Sequence, residues 1–205
     1  MKISIIGAGN VGSVLAQGFS KVGHEVFIGT REIDSLELLE LNEFSENISI
    51  MSINNAIKNS DIVVLSTPSQ AVIEIAKNNP ELKDKIIVDA TNSVFKKPEP
   101  YNTAFHALKE ILKVENIVKC FNTTGFENMK NPIYDGNGID MFVAGSSKIA
   151  KDLAIKLSKE IGFEECYDFG DDSKVELIEQ FAMSWINLAI LQGYGRNIAF
   201  KIIKR

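Results

Sequence analysis

Ile3-Ser4-Ile5-Ile6-Gly7-Ala8-Gly9-Asn10-Val11-Gly12 stands almost at the start of the chain, and its reading decides the fold. A short β-rich run ends in three glycines spaced G-x-G-x-x-G. Val11, Val14, Leu15, Phe19 and Val22 then recur at helical spacing. Glu25-Val26-Phe27-Ile28-Gly29 supplies a second strand. The glycines therefore sit in the strand–turn–helix–strand context that a dinucleotide-binding loop requires. Each has its own physical task. Gly7 permits the tight turn out of the strand, Gly9 lets the backbone approach a diphosphate, and Gly12 lets the helix pack close to the sheet. The N–H groups around Asn10 and Val11, with the positive end of the helix dipole, face the phosphates.

Outward from this unit the alternation continues. Residues 36–44 read as a helix, 48–52 as a third strand and 54–59 as a short helix. Residues 61–66 are apolar almost throughout, as a strand buried on both faces must be. Strands over 85–89, 116–121, 140–144 and 163–169 follow, with helices over 70–77, 103–112 and 149–161. Strands alternating with helices predict an α/β fold, a doubly wound and mainly parallel sheet. Residues 1–170 form that Rossmann domain, and 171–205 form a small C-terminal helical part. In the helix over 175–192, Ile178, Phe181, Ala182, Trp185 and Ala189 share one stripe, widened by Leu177, Leu188 and Leu191. So broad a stripe needs more than a sheet edge to cover it. Core packing, a dimer interface or a cap over a cleft would each do so. Gly193-Tyr194-Gly195 ends the helix, and residues 198–204 form an amphipathic tail.

Composition narrows the function classes. The chain has 205 residues, a formal net charge of −5 and no cluster of Lys or Arg, which argues against a nucleic-acid binder. Cys120 and Cys166 show neither CxxC nor Cys/His ligand spacing, so they read as small core residues in a reducing compartment, with no metal site. Gly7 and Gly9 interrupt the first apolar run too early for a signal peptide, and no run approaches membrane-spanning length. A cytoplasmic protein is expected.

The end of the second strand distinguishes NAD from NADP. An acidic residue there bonds a ribose 2′-hydroxyl; a small polar residue with Arg suits a 2′-phosphate. The chain reads Gly29-Thr30-Arg31, with Glu32 one residue on, where it belongs to the helix start or permits NAD use. The Arg31 guanidinium can pair a phosphate with two charge-assisted bonds and Thr30 can add a third, so NADP(H) is expected. Three later strands end in Ser66-Thr67-Pro68-Ser69, Ala90-Thr91-Asn92-Ser93 and Asn122-Thr123-Thr124-Gly125. Small polar residues make ordinary turns after strands. Three such loops in succession also offer hydroxyls and amides to the ribose or carboxamide of a nicotinamide.

A proton donor for carbonyl reduction is harder to find. His24 lies before the second strand, at the wrong end of the sheet, and His106 lies in a helix. Lys119 and Tyr194 are candidates without a visible partner. No catalytic side chain is therefore assigned. An acceptor that is itself a redox ring needs little acid–base help.

These residues together resemble the family of NADPH-dependent coenzyme F420 reductases, in its broader bacterial branch. The resemblance rests on Ile5 to Gly12, Ile28 to Arg31, Asp61 to Ser66, Val88 to Asn92, Val118 to Thr123 and Gly193 to Lys201, and it covers nearly the whole chain. It implies hydride transfer between NADPH and coenzyme F420, a flavin such as FMN or a similar small-molecule acceptor, often in a homodimer. Thr30 and Arg31 would hold the 2′-phosphate, while Ser66, Pro68, Asn92 and Asn122 would surround the nicotinamide ribose and the second ring. The chain departs from F420 reductases after the sixth strand, where Phe121-Asn122-Thr123-Thr124-Gly125 replaces a His-containing segment. Two other readings stand beside it: a non-catalytic NADPH sensor, and a reductase of a small imine or keto acid using Lys119 or Tyr194.

Overall fold

The computed structural model describes residues 1–32 and 36–205. The glycine-rich unit is β1 (Lys2–Ile6), α1 (Asn10–Lys21) and β2 (Glu25–Thr30). After it come α2 (Leu36–Phe44), β3 (Ile48–Ser52), α3 (Ile53–Lys58), β4 (Ile62–Leu65), α4 (Ala71–Asn78), β5 (Ile86–Asp89), α5 (Ala104–Leu112) and β6 (Ile117–Lys119). Six strands form one parallel sheet in the order β3-β2-β1-β4-β5-β6. The chain winds outward from β1 to β3, then returns to the other side of β1 at β4. That reversal opens a crevice beyond the carboxyl ends of β1 and β4, where ligands of open α/β sheets bind.

The strands are buried because helices cover both faces. Ile3, Ile5, Val26, Ile28, Val64 and Val88 belong to one core, together with Leu15 and Phe19 of α1. Ile6, Val63, Leu65 and Ile87 belong to the other, with Ile57, Val72, Phe105 and Leu108 from α3, α4 and α5. Side-chain alternation along each strand divides the two sets.

Beyond β6 lie α6 (Phe126–Lys130), the hairpin β7 (Ile133–Tyr134) and β8 (Asn137–Gly138), then β9 (Met141–Val143), α7 (Lys148–Glu160) and β10 (Cys166–Asp168). Lys119 and Ala144 exchange backbone hydrogen bonds in an antiparallel bridge, and β10 runs parallel to β9. Helix α8 (Val175–Ile186) follows. The predicted helix over 175–192 is α-helical only to Ile186 and continues as a π-helical turn, Asn187–Leu191. Val175 and Ile178 of α8 lie in the second core, while Leu188, Ile190 and Leu191 face outward. Residues 196–205 adopt no helix or strand, but Phe200 stacks on Phe181 with ring centroids 4.4 Å apart. No helix among the described residues is long and apolar enough to cross a membrane, and none of their side chains form a metal-ligating cluster.

Candidate functional site

The glycine turn is built as its spacing predicts. Gly7 has φ +107° and donates its N–H to the Gly29 carbonyl at 3.0 Å. A side chain on Gly12 would collide with the Gly7 carbonyl oxygen and come within 2.6 Å of Ser66 Oγ. Gly9 differs. Its backbone is ordinary (φ −75°), and a Cβ there would meet nothing within 4 Å. Its lack of a side chain serves no contact inside the protein and leaves the start of α1 open. No side chain caps that helix, so its first N–H groups, at Asn10 and Val11, are available to an anion. A cleft of about 410 Å³ lies there, with Ala8, Gly9, Asn10 and Ser13 on one side and Gln17, Glu40, Leu41 and Phe44 completing its walls.

At the end of β2, Thr30 is half-buried and Arg31 exposed; Glu32 is exposed and in no helix or strand. Arg31 borders a second cleft, about 250 Å³, whose other walls include Ile53, Thr67, Pro68, Ala71 and Ile75. Arg31 makes no ion pair among the described residues. A cation beside an apolar slot suits a phosphorylated adenosine. Ser66 is committed elsewhere: its hydroxyl donates to the carbonyls of Gly7 (2.9 Å) and Ile6 (3.2 Å), tying the end of β4 to the glycine turn.

The ends of β5 and β6 are joined through Asn92 and Asn122. Asn92 Nδ2 donates to the Asn122 carbonyl at 3.0 Å, and Asn122 Nδ2 donates to Asn92 Oδ1 at 3.1 Å. Phe121, just before, has φ +59°, a left-handed conformation that is uncommon outside glycine. Its ring is fully buried, edge-on to Phe19 at 6.0 Å. Thr67 Oγ1, Thr91 Oγ1 and Asn122 Oδ1 are buried without a hydrogen-bond partner. An unsatisfied buried polar atom costs about 1–3 kcal/mol. Three of them beyond the ends of β4, β5 and β6 fit a polar ligand at that edge.

Beneath the asparagines lies a network that the sequence did not disclose. Lys119 is fully buried and donates to Asp89 Oδ2 (3.0 Å), Glu179 Oε1 (2.6 Å) and the Thr91 carbonyl (2.6 Å). Its three N–H bonds are spent. Asp89 Oδ1 accepts from Thr91 N (3.0 Å) and Glu179 Oε2 from Ser93 N (2.9 Å), so both residues flanking Asn92 are held by carboxylates. Burial works to lower the Lys119 pKa, but the two carboxylates outweigh it and hold it above the ordinary lysine value. The signal available in the sequence was a lysine inside an apolar strand, since a charge buried there requires a counter-charge.

Among the described residues the other candidates make no hydrogen bond to this network. His24 is buried at the opposite end of β2, with Nε2 2.8 Å from Glu160 Oε2. His106 bonds Thr103 at the start of α5. Tyr194 is 72% exposed after the π-helical turn. Cys120 and Cys166 are free and buried, and burial pushes the Cys120 thiol well above its usual pKa.

Comparison with known proteins agrees with this fold. A proposed F420-dependent NADP-reductase from Arthrobacter sp. FB24 matches over the full length of both chains, with TM-score 0.84 and 26% identity. A reductive aminase from Aspergillus terreus, solved with NADPH and ethyl-5-oxohexanoate, shares the fold at TM-score 0.68 and 17% identity, over 94% of this chain and 63% of that one. A glycerol-3-phosphate dehydrogenase (NAD(P)+) of Thermoanaerobacter sp. (strain X514) is 31% identical over 106 residues, 46% of this chain. That match spans only 32% of the dehydrogenase. Residues 2–93, which carry the glycine turn, Arg31 and Asn92, match the family described as NADP oxidoreductase, coenzyme F420-dependent.

Proposed function

We propose that the protein binds NADP(H) along the carboxyl edge of its parallel sheet and passes hydride between the nicotinamide and a redox ring such as coenzyme F420 or a flavin. The observation that carries this reading is the pairing of an open glycine turn at Gly9 with the Arg31 guanidinium on an adjoining apolar cleft. The diphosphate lies on the N–H groups of Asn10 and Val11, with Gly7 and Gly12 shaping the turn. Thr30 and Arg31 take the 2′-phosphate, Thr67 and Pro68 line the adenosine cleft beside Arg31, and Asn92 and Asn122 border the nicotinamide half. Ser66 buttresses the turn from behind. The bound dinucleotide supplies the two-electron chemistry, and the protein holds two planar rings in register.

The fate of Lys119 favours a ring acceptor over a carbonyl. Its protons are fully engaged with protein acceptors, so it is not poised to protonate a substrate oxygen. Loss of NADPH absorbance with F420 and with FMN tests the proposal. Acceleration by either supports it; NADPH binding with no acceleration by any ring acceptor leaves a nucleotide-binding protein and defeats the enzyme reading. NADH bound as tightly as NADPH defeats the role given to Arg31.

A further inference from the structure

Resting on the NADP(H) reading, we infer that Asn122 Oδ1 accepts a hydrogen bond from the carboxamide N–H₂ of the nicotinamide. The argument begins with orientation. The two asparagine amides hold one another: Asn92 Nδ2 donates to the Asn122 carbonyl, and Asn92 Oδ1 accepts from Asn122 Nδ2. Turning either amide over would set oxygen against oxygen. Asn122 is therefore locked with its nitrogen toward Asn92 and its oxygen spare.

That spare oxygen is buried without a partner, in a residue only 3% exposed. Thr67 and Thr91, at the neighbouring strand ends, also hold unpartnered oxygens, but a hydroxyl can donate or accept. A carbonyl oxygen can only accept. The ligand group that reaches Asn122 must bring a donor, and the carboxamide N–H₂ is the hydrogen-bond donor of the nicotinamide ring.

The oxygen is also held in place. Asp89 and Glu179 grip the N–H groups on either side of Asn92, Lys119 grips the Thr91 carbonyl, and left-handed Phe121 sets the direction in which Asn122 leaves β6. An acceptor fixed beforehand discriminates strongly, because a ligand lacking the donor leaves it unpaired.

The test compares NADP+ with its 3-acetylpyridine analogue, in which a methyl group replaces the amide nitrogen. Dissociation constants are measured by calorimetry for the wild type, Asn122→Ala and Asn122→Ser. The wild type should bind the analogue about tenfold more weakly, roughly one hydrogen bond's worth, and both variants should bring the ratio near one. The inference is overturned if the wild-type ratio is near one, or if the variants keep the wild-type ratio, as they would were the donor a ribose hydroxyl or a group on the second ring. Adenosine 2′,5′-bisphosphate, which lacks the nicotinamide, reads the other end of the site. Its binding to all three proteins would leave the NADP(H) reading standing even where the inference fails; no binding to the wild type would sink the NADP(H) reading itself.

Discussion

Glu179→Gln tests whether a single side chain on the last helix organises the strand ends. The two carboxylate oxygens of Glu179 serve different donors: Oε1 takes Lys119 Nζ at 2.6 Å and Oε2 takes Ser93 N at 2.9 Å. A glutamine of the same shape has one acceptor, so its amide nitrogen must face one of the two donors. An unsatisfied buried donor costs about 1–3 kcal/mol, and exchanging a charged acceptor for a neutral one forfeits about 1 kcal/mol more. Asp89 remains 3.0 Å from the ammonium and limits the loss. The expected sum is about 3 kcal/mol, at the lower end for breaking a buried ion pair. For a chain of this length that lowers Tm by roughly 6–12 °C. Urea denaturation followed by circular dichroism should show a reduced midpoint at unchanged slope, and amide exchange at Ser93 should quicken beyond the global change. Lys119→Met, which leaves two buried carboxylates with no cation between them, should be worse. A Glu179→Gln unfolding free energy within about 0.5 kcal/mol of wild type would refute the reasoning, because a surface substitution does no more.

Further expectations concern the dinucleotide edge and pH. Gly9→Ala should fold with wild-type stability, since its methyl group meets nothing within 4 Å, yet lose dinucleotide affinity; Gly12→Ala should lose stability as well, which thermal melts with and without NADP+ will separate. Arg31→Ala should weaken NADPH binding about 10- to 100-fold, the worth of its charge-assisted bonds, and leave NADH binding within about twofold in a fluorescence titration. Because the folded state raises the Lys119 pKa, its stabilisation is complete below the ordinary lysine value of 10.5 and is lost as pH rises through the higher folded value. Stability attributable to this ammonium should hold through neutral pH and fall only in the strongly alkaline range, a step that Lys119→Met should lack.

Much of the fold was legible because the signals were local. Strands buried on both faces read as unbroken apolar runs, as in Ile62–Leu65 and residues 86–88, and the glycine spacing named its own turn. The β7–β8 hairpin passed unread although Asp135-Gly136 sits at its turn with φ +49° and +82°, a pattern typical of tight hairpins. The π-helical turn after Ile186 could not be distinguished, since its apolar residues continue the α-helical stripe. The positions of Arg31, Asn92 and Asn122 followed from strand ends. What holds the asparagines did not, because Lys119 and Glu179 are sixty residues apart and no local pattern pairs them.

The ion triad also orders events at the ribosome. All six strands of the parallel sheet are synthesised before Glu179. Until then the Lys119 ammonium has Asp89 alone as counter-ion, and the Ser93 N–H has no carboxylate to hold it. The nascent sheet thus stays short of its final stability, and emergence of the last helix completes its wiring rather than adding an ornament to a finished unit.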